Sequence, residues 1–304
     1  MIGAGSTERM KVNLHLHSKY SDGTLWPDEI VKRAKALGLT QVSLTDHDCM
    51  EGVEQFLNSA RKAGLQAIAG VEIDCVAAEI DYNSEVLGYF PRDNFIHTRE
   101  FCLKRMQHRE KRIKNLISMA AQFFHSNLSF EELKNHKLGT LPPGIKNPKV
   151  TYSKPDLFEY LKHKKLISLK TDYGDFKKLP FLDRDKDPKP AVPEVIDIIL
   201  QDDGIPVLPH PGLIFNLDVN KMKTKGKEIF KWFKDAGILA LECNYYAKKI
   251  KDNTRELNDL VQKFARELGL KITWGSDCHG PGHHSDTMEK FWGTHDFPFP
   301  DKTL

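Results

Sequence analysis

Apolar and polar residues alternate at the start of this chain. Over 11–23, KVNLHLHSKYSDG, Val12, Leu14 and Leu16 are interleaved with Asn13, His15 and His17. A period of two is that of a strand buried on one side, with both imidazoles on one face and the aliphatic residues on the other. Pro27 stands where a helix begins, and Ile30, Val31, Ala34 and Leu37 recur at helical spacing until Gly38. Alternation returns over 41–47, QVSLTDH, and a helix follows over about 52–63, closed by Gly64. The next strand is 67–73, in which Ile68, Gly70 and Glu72 share a face. Segments 75–80 and 85–90 read as a further strand pair joined by a turn at 81–84.

Strands and helices in alternation predict parallel βα units. The rhythm stops near 91, where an amphipathic helix over about 99–124 carries Leu103, Met106, Ile113, Leu116, Ile117, Ala120 and Phe124. A lysine- and proline-rich stretch runs on to about 190. The rhythm resumes with a helix from Pro193, a strand at 205–208, a helix near 227–236, a strand at 238–243, a helix near 253–268 and a last strand at 271–274. Seven strands so arranged predict an α/β fold closed, or nearly closed, into a barrel with its site at the carboxyl ends of the strands. The expected division is a barrel from 11–90 and 192–285, a mostly helical insertion at 91–191 and a C-terminal tail at 286–304. No internal repeat is visible.

Composition adds little to this picture. The 304 residues are 40% hydrophobic and 29% charged, enough for one large domain with an insertion. No apolar run approaches the roughly 18 residues that span a bilayer. MIGAGSTERM lacks the apolar core of a signal peptide. A net charge of +3 is too small to imply nucleic acid. Five cysteines, an odd number without a CxxC pair, point to a reducing compartment, so the cytoplasm is the expected location. No feature calls for a stable protein partner.

Candidate chemistry changes the picture more. Ligand-type residues fall where strands end: His15 and His17, Asp22 in the turn beyond them, His47, Glu72, Glu85, His210, Asp277 and His279. Asp277 and His279 lie two apart in GSDCHG and share a face if the strand persists. Imidazole and carboxylate without cysteine suit Zn²⁺, Mn²⁺ or Fe²⁺ in an open site rather than a closed structural zinc. The set exceeds what one tetrahedral ion uses, so a cluster of two or three ions, bridged by Glu72, is expected. Clustered divalent ions lower the pKa of a bridging water and clamp phosphoryl oxygens. A single histidine is more often a packed core residue, which is the reading given to His97, His108, His125, His136 and His163; Cys49 and Cys278 are likewise read as packing. The basic helix face of Lys104, Arg105, Arg109, Lys111, Arg112 and Lys114 would ordinarily be solvated. Because it opens the insertion, close in sequence to Glu85, Arg109 and Arg112 become candidates for holding a phosphate.

HLHSKYSDGTLWPDEIVKRAKALGLTQVSLTDHD resembles the opening of the polymerase-and-histidinol-phosphatase (PHP) family of metal-dependent phosphoesterases. GVE at 70–72, PHPG at 209–212 and SDCHGPG at 276–282 are similar to its later motifs, in the same order. The match covers about 11–90 and 192–285. The insertion resembles that of the branch acting on nucleoside 3′,5′-bisphosphates and on the 5′ ends of short oligonucleotides, in which Arg109 and Arg112 have counterparts. The resemblance implies a distorted (β/α)₇ TIM-like barrel holding two or three ions, with His15, His17, Asp22, His47, Glu72, His210, Asp277 and His279 as ligands. Two departures stand out. Glu85 occupies a strand where the family usually has histidine, and Lys154-Pro155-Asp156 stands where the insertion usually has Arg-x-His, which makes Lys154 a third phosphate candidate.

The activity so implied is hydrolysis of a nucleotide, a small phosphomonoester or the 5′ end of a short oligonucleotide. A metal-bound hydroxide would be the nucleophile, and Asp277 or His279 would supply the leaving group's proton. Histidinol phosphate is the alternative substrate. A metal-binding interaction module without catalysis is the alternative outside enzymes, and the intact ligand set argues against it. An amidohydrolase would share barrel and metals, but no strand end offers the bridging lysine common there.

Overall fold

A computed structural model describes residues 11–293 except 186, 247–252 and 284. Strands β1 (Val12–Leu16), β2 (Gln41–Leu44), β3 (Gln66–Ala77), β4 (Tyr82–Phe90), β5 (Ile205–Leu208), β6 (Ala240–Asn244) and β7 (Lys271–Gly275) form one sheet in sequence order. All neighbours are parallel except β4, which runs antiparallel to both β3 and β5. Beyond β7 the chain meets β1: Cys278 N–H donates to His15 O (3.3 Å) and His17 N–H to Cys278 O (2.9 Å). The sheet is therefore nearly closed. Helices α1 (Pro27–Ala36) and α2 (Val53–Lys62) cover β1 to β3, and α7 (Val192–Gln201), α8 (Val219–Asp235) and α9 (Thr254–Leu268) cover the rest.

Between β4 and α7 lie α3 (Ile96–Phe123), α4 (Phe130–Leu138), α5 (Lys154–His163) and the short α6 (Tyr173–Phe176). They share an apolar cluster that includes Ile113, Leu116, Leu133, Leu157, Tyr160 and Phe176, joined from the barrel side by Tyr20, Trp26 and Cys49. All five cysteines are buried free thiols. No helix among the described residues is long and apolar enough to cross a membrane.

The structure corrects the expected pattern in several places. Val12 and Leu14 pack inside the barrel with Ile68, Leu87, Tyr89, Val207 and Ala240, whereas Leu16 packs outward against α1 and α2. A register shift between Asn13 and Leu16 breaks the alternation, so the aliphatic residues do not share a face. Segment 67–80 is one long strand ending in a 3₁₀ turn at Ala78–Ile80, with Asp81 left-handed (φ 51°), so the reversal comes before 82–84 rather than over 81–84. Helix α8 starts at Val219, eight residues before the expected 227, because Asp218 caps it by accepting from Asn220 and Lys221 N–H. Of the expected tail, 286–293 packs on the barrel: Met288 is buried, Phe291 lies against Trp274 and Gly293 pairs with Val12. Residues 294–304 lie outside the described set.

Asp202, just past α7, ties α3 to the barrel. It accepts the backbone N–H groups of His97 (3.1 Å) and Thr98 (2.7 Å) at the start of α3, and bonds the His97 ring (2.8 Å). Burial alone would raise its pKa, but these hydrogen bonds hold it below the usual carboxylate range. A depressed folded-state pKa stabilises above the unfolded value, about 3.9, and that stability is lost as pH falls through the folded value. Asp202→Ala should therefore cost about 1–2 kcal/mol at pH 7 in urea unfolding. The gap from the parent should shrink below about pH 4; an equal gap at pH 3 would assign the loss to packing alone.

Candidate metal centre

The register shift in β1 that turns Leu16 outward leaves His15 and His17 pointing into the barrel mouth. His15 Nε2 lies 3.1 Å from Glu72 Oε2, and its Nδ1 lies 2.9 Å from Glu242 Oε1. His17 Nε2 is 3.2 Å from Asp277 Oδ1 and 3.3 Å from Glu72 Oε2. His47 Nδ1 also reaches Glu72 Oε2 (3.3 Å), and His279 Nε2 reaches Asp22 Oδ1 (3.3 Å). On the other side His210 Nε2 lies 3.1 Å from Glu72 Oε1 and 3.2 Å from Glu85 Oε2. One oxygen of Glu72 thus faces three imidazoles and the other faces a fourth.

The hairpin of β3 and β4 supplies three carboxylates at once. Asp74 is the strand partner of Glu85, and both share Glu72's side of the sheet. Candidate donor atoms gather into four overlapping groups: His17, Asp22, His47 and His279; His15, His17, Glu72 and Asp277; Glu72, Glu85 and His210; His47, Asp74 and Glu85. All nine sequence-predicted ligands belong to one or more. His97, read from the sequence as a packed core histidine, is instead half exposed and bonded to Asp202.

Both ring nitrogens of His17, Nδ1 of His47, Nδ1 of His210 and Oδ1 of Asp22 are buried and make no hydrogen bond. An unsatisfied buried polar atom costs about 1–3 kcal/mol. Five such atoms in one mouth, all nitrogen or carboxylate oxygen, fit residues that hold divalent cations. The electrostatics agree. Burial disfavours the charged form of His17, yet the nearby carboxylates of Asp277 and Glu72 push it up to about 10. Burial would raise Glu72 and Asp277, yet the surrounding imidazoles hold both well below the usual carboxylate range. Protons and cations therefore compete for the same atoms, and loading with metal should release protons.

The strand does not persist to Asp277, as β7 ends at Gly275. Asp277 is left-handed (φ 52°) and His210 also has positive φ (29°), so two ligand candidates carry backbone strain. A Cβ on Gly275 would sit 2.2 Å from Glu242 Oε1 and 2.3 Å from His15 Cβ. Only glycine leaves room for that carboxylate–imidazole contact. Glu242 also accepts from His210 N–H (2.8 Å) and Asn244 Nδ2 (2.9 Å). It is absent from the residues predicted by sequence, although a carboxylate among the aliphatic residues of a buried strand is itself a signal that a partner awaits it. Asp46 is absent too: it accepts from Ser18 N–H (2.7 Å) and from the hydroxyls of Ser18 (2.6 Å) and Ser21 (2.5 Å), shaping the loop that carries Asp22.

The basic face of α3 is only partly solvated. Lys104, Lys111 and Lys114 are exposed, but Arg105 and Arg109 are buried. Arg109 donates to Asp48 Oδ2 and Asp74 Oδ2, both at 2.6 Å, and so leans on the rim of the mouth. Arg112 donates from Nε (2.9 Å) and Nη2 (2.5 Å) to Asp185 and from Nη1 to Asp187 (2.5 Å). Lys154 Nζ lies 2.8 Å from Asp185 Oδ2, while Asp156 pairs with Lys137 at 2.6 Å. The predicted phosphate contacts are all engaged by carboxylates of this chain.

The PHP domain family model matches residues 13–205. A 5′-3′ exoribonuclease of Haemophilus influenzae is 27% identical over 284 residues, covering 89% of this chain and 90% of that protein. A 3′,5′-nucleoside bisphosphate phosphatase of Chromobacterium violaceum is 40% identical over 62 residues, 20% of this chain and 22% of that one. A solved structure from Bifidobacterium adolescentis, described as a metal-dependent phosphoesterase, superposes with TM-score 0.69 at 21% identity, covering 90% of this chain and 88% of the other. One from Chromobacterium violaceum, described as an amidohydrolase, gives TM-score 0.69 at 20% identity over 89% and 88%. At such identities these two share the fold and no more. The family model spans more than half of the chain, and the barrel mouth, completed by later residues such as His210, Asp277 and His279, gathers the histidines and carboxylates that a divalent ion needs. The chain belongs to the PHP domain family of metal-dependent phosphoesterases.

Proposed function

We propose that this protein hydrolyses phosphate monoesters of nucleotide-type substrates at the barrel mouth, using two or three divalent ions of Mn, Zn or Fe. The observation that carries the reading is Glu72, whose two oxygens join the donor groups on either side of it. Bound there, divalent ions supply a water ionised near neutral pH and neutralise phosphoryl charge. The chain's own residues do the rest. His17, Asp22 and His47, with His279 beside them, form one holding group; His15, Asp277 and Glu72 form the next; Glu85 and His210 extend it. Glu242 fixes the His15 ring by bonding its Nδ1. The surrounding imidazoles hold the Asp277 carboxyl well below the usual range, so it has no proton to give the leaving oxygen at neutral pH. The 91–191 segment, with its own apolar cluster, acts as a cap over the mouth.

The names of the Haemophilus and Chromobacterium relatives support a nucleotide or a short oligonucleotide 5′ end as substrate. Metal-loaded protein should release inorganic phosphate from mononucleotides or 5′-phosphorylated dinucleotides at least tenfold more efficiently than from histidinol phosphate, and chelation should abolish the release. No phosphate from any ester would remove the hydrolase reading, and a preference for histidinol phosphate would replace the substrate.

Glu85 sets the metal. A carboxylate where the family has imidazole favours a hard ion such as Mn²⁺. Glu85→Ala should lose one ion selectively by elemental analysis, and Glu85→His should shift preference from Mn²⁺ towards Zn²⁺. Unchanged stoichiometry and preference in both variants would remove Glu85 from the ligand set.

A further inference from the structure

Two cations from different helices of the insertion, Arg112 of α3 and Lys154 of α5, converge on a single oxygen, Asp185 Oδ2. That is the arrangement of an anion subsite, and its occupant is the chain itself. Asp185 takes the Nε/Nη2 edge of the guanidinium and Asp187 takes Nη1, so Arg112 has no free edge with which to grip a phosphate. Both carboxylates are well buried, with side-chain exposures of 4% and 13%.

Asp185 follows a 3₁₀ turn at Pro180–Arg184, and Phe181 and Leu182 of that turn are buried in the insertion's apolar core. Arg109, one turn before Arg112, is neutralised in the same way by Asp48 and Asp74. A phosphate dianion arriving here would meet carboxylates whose cations are already spent, and would be repelled.

We infer that Asp185 and Asp187 are specificity-determining residues that stand in for a second substrate phosphate at Arg112 and Lys154, so that the enzyme selects nucleotides bearing one phosphate over those bearing two. This rests on the barrel mouth being a phosphoesterase site.

The test compares kcat/KM of metal-loaded protein for adenosine 3′,5′-bisphosphate and for adenosine 5′-monophosphate. The parent should favour the monophosphate. Asp185→Asn should raise the bisphosphate-to-monophosphate ratio at least tenfold, and adding Arg112→Gln should cancel the gain. In the parent background, Lys154→Met should leave the ratio within about twofold, because that ammonium is already matched. A parent that prefers the bisphosphate tenfold, a ratio unmoved by Asp185→Asn in a folded variant, or a tenfold fall in the ratio on Lys154→Met would each overturn the inference. Lys154→Met keeps the test decisive should Asp185→Asn fail to fold. If no ester is turned over, the phosphoesterase reading fails separately, and calorimetric titration with inorganic phosphate decides. Asp185→Asn with Asp187→Asn should then gain a binding event that Arg112→Gln removes; no gain overturns the inference.

Discussion

Replacing Glu72 with alanine should remove more than one ion from the protein and lower kcat by at least about a thousandfold. The expectation follows from position. Glu72 Oε2 lies within 3.3 Å of His15, His17 and His47, and Oε1 lies 3.1 Å from His210. A ligand at the edge of the mouth serves one ion, whereas this carboxylate faces the donors of two groups. Losing it leaves those imidazoles facing one another with a buried negative charge gone, so cations are held less well on both sides. Elemental analysis after gel filtration checks the stoichiometry. Thermal unfolding with and without added Mn²⁺ checks it independently, since an ion that binds only the folded state raises its stability in proportion to the logarithm of its concentration over Kd. A variant that keeps the parent's stoichiometry would show that Glu72 bridges nothing.

The second large effect belongs to a residue that should touch no metal. Glu242 bonds His15 Nδ1 at 2.9 Å, and thereby fixes which nitrogen of that ring faces Glu72 and Asp277. Removing such a partner typically costs 10- to 100-fold in metal affinity or activity. Glu242→Gln should therefore weaken metal binding by roughly that factor in chelator competition, with a smaller change in unfolding temperature. Gln preserves the shape and a hydrogen-bond acceptor while removing the charge. A purely structural role would give the reverse result: lower unfolding temperature with affinity intact.

What the sequence made legible, and what it hid, divides along a physical line. Candidate ligands such as His15, His17, His210 and His279 were readable because imidazole and carboxylate at strand ends have few other uses in such numbers. The parallel rhythm was readable because helices covering a barrel demand apolar residues at helical spacing, as at Ile30, Val31 and Ala34. The register shift in β1 was not, because Val12, Leu14 and Leu16 look alike whether they pack inward or outward. Nor were the partners of charges. Glu242, Asp46 and Asp185 act through contacts to residues far away in the chain, and one sequence holds no record of such distances. Arg109 and Arg112 were read from the sequence as phosphate candidates; that carboxylates of the same chain engage them is visible only in three dimensions.

The seam where β1 meets the segment beyond β7 has a consequence for biosynthesis. Asn13 bonds Ser276 across a separation of 263 residues, and His17 and Asp277 meet across a gap nearly as long. A ribosome adding roughly 5–20 residues per second therefore exposes His15, His17 and His47 well before Asp277 and His279 exist. Until the last strand emerges, half of a metal-binding mouth sits on an unsealed sheet edge, able to capture stray ions or neighbouring chains. Sealing that edge waits on the contacts of longest range, which are the slowest kind to form. The complete donor set therefore forms only once the C-terminal segment has emerged, and nascent chains stalled before residue 277 should bind transition metals weakly and aggregate.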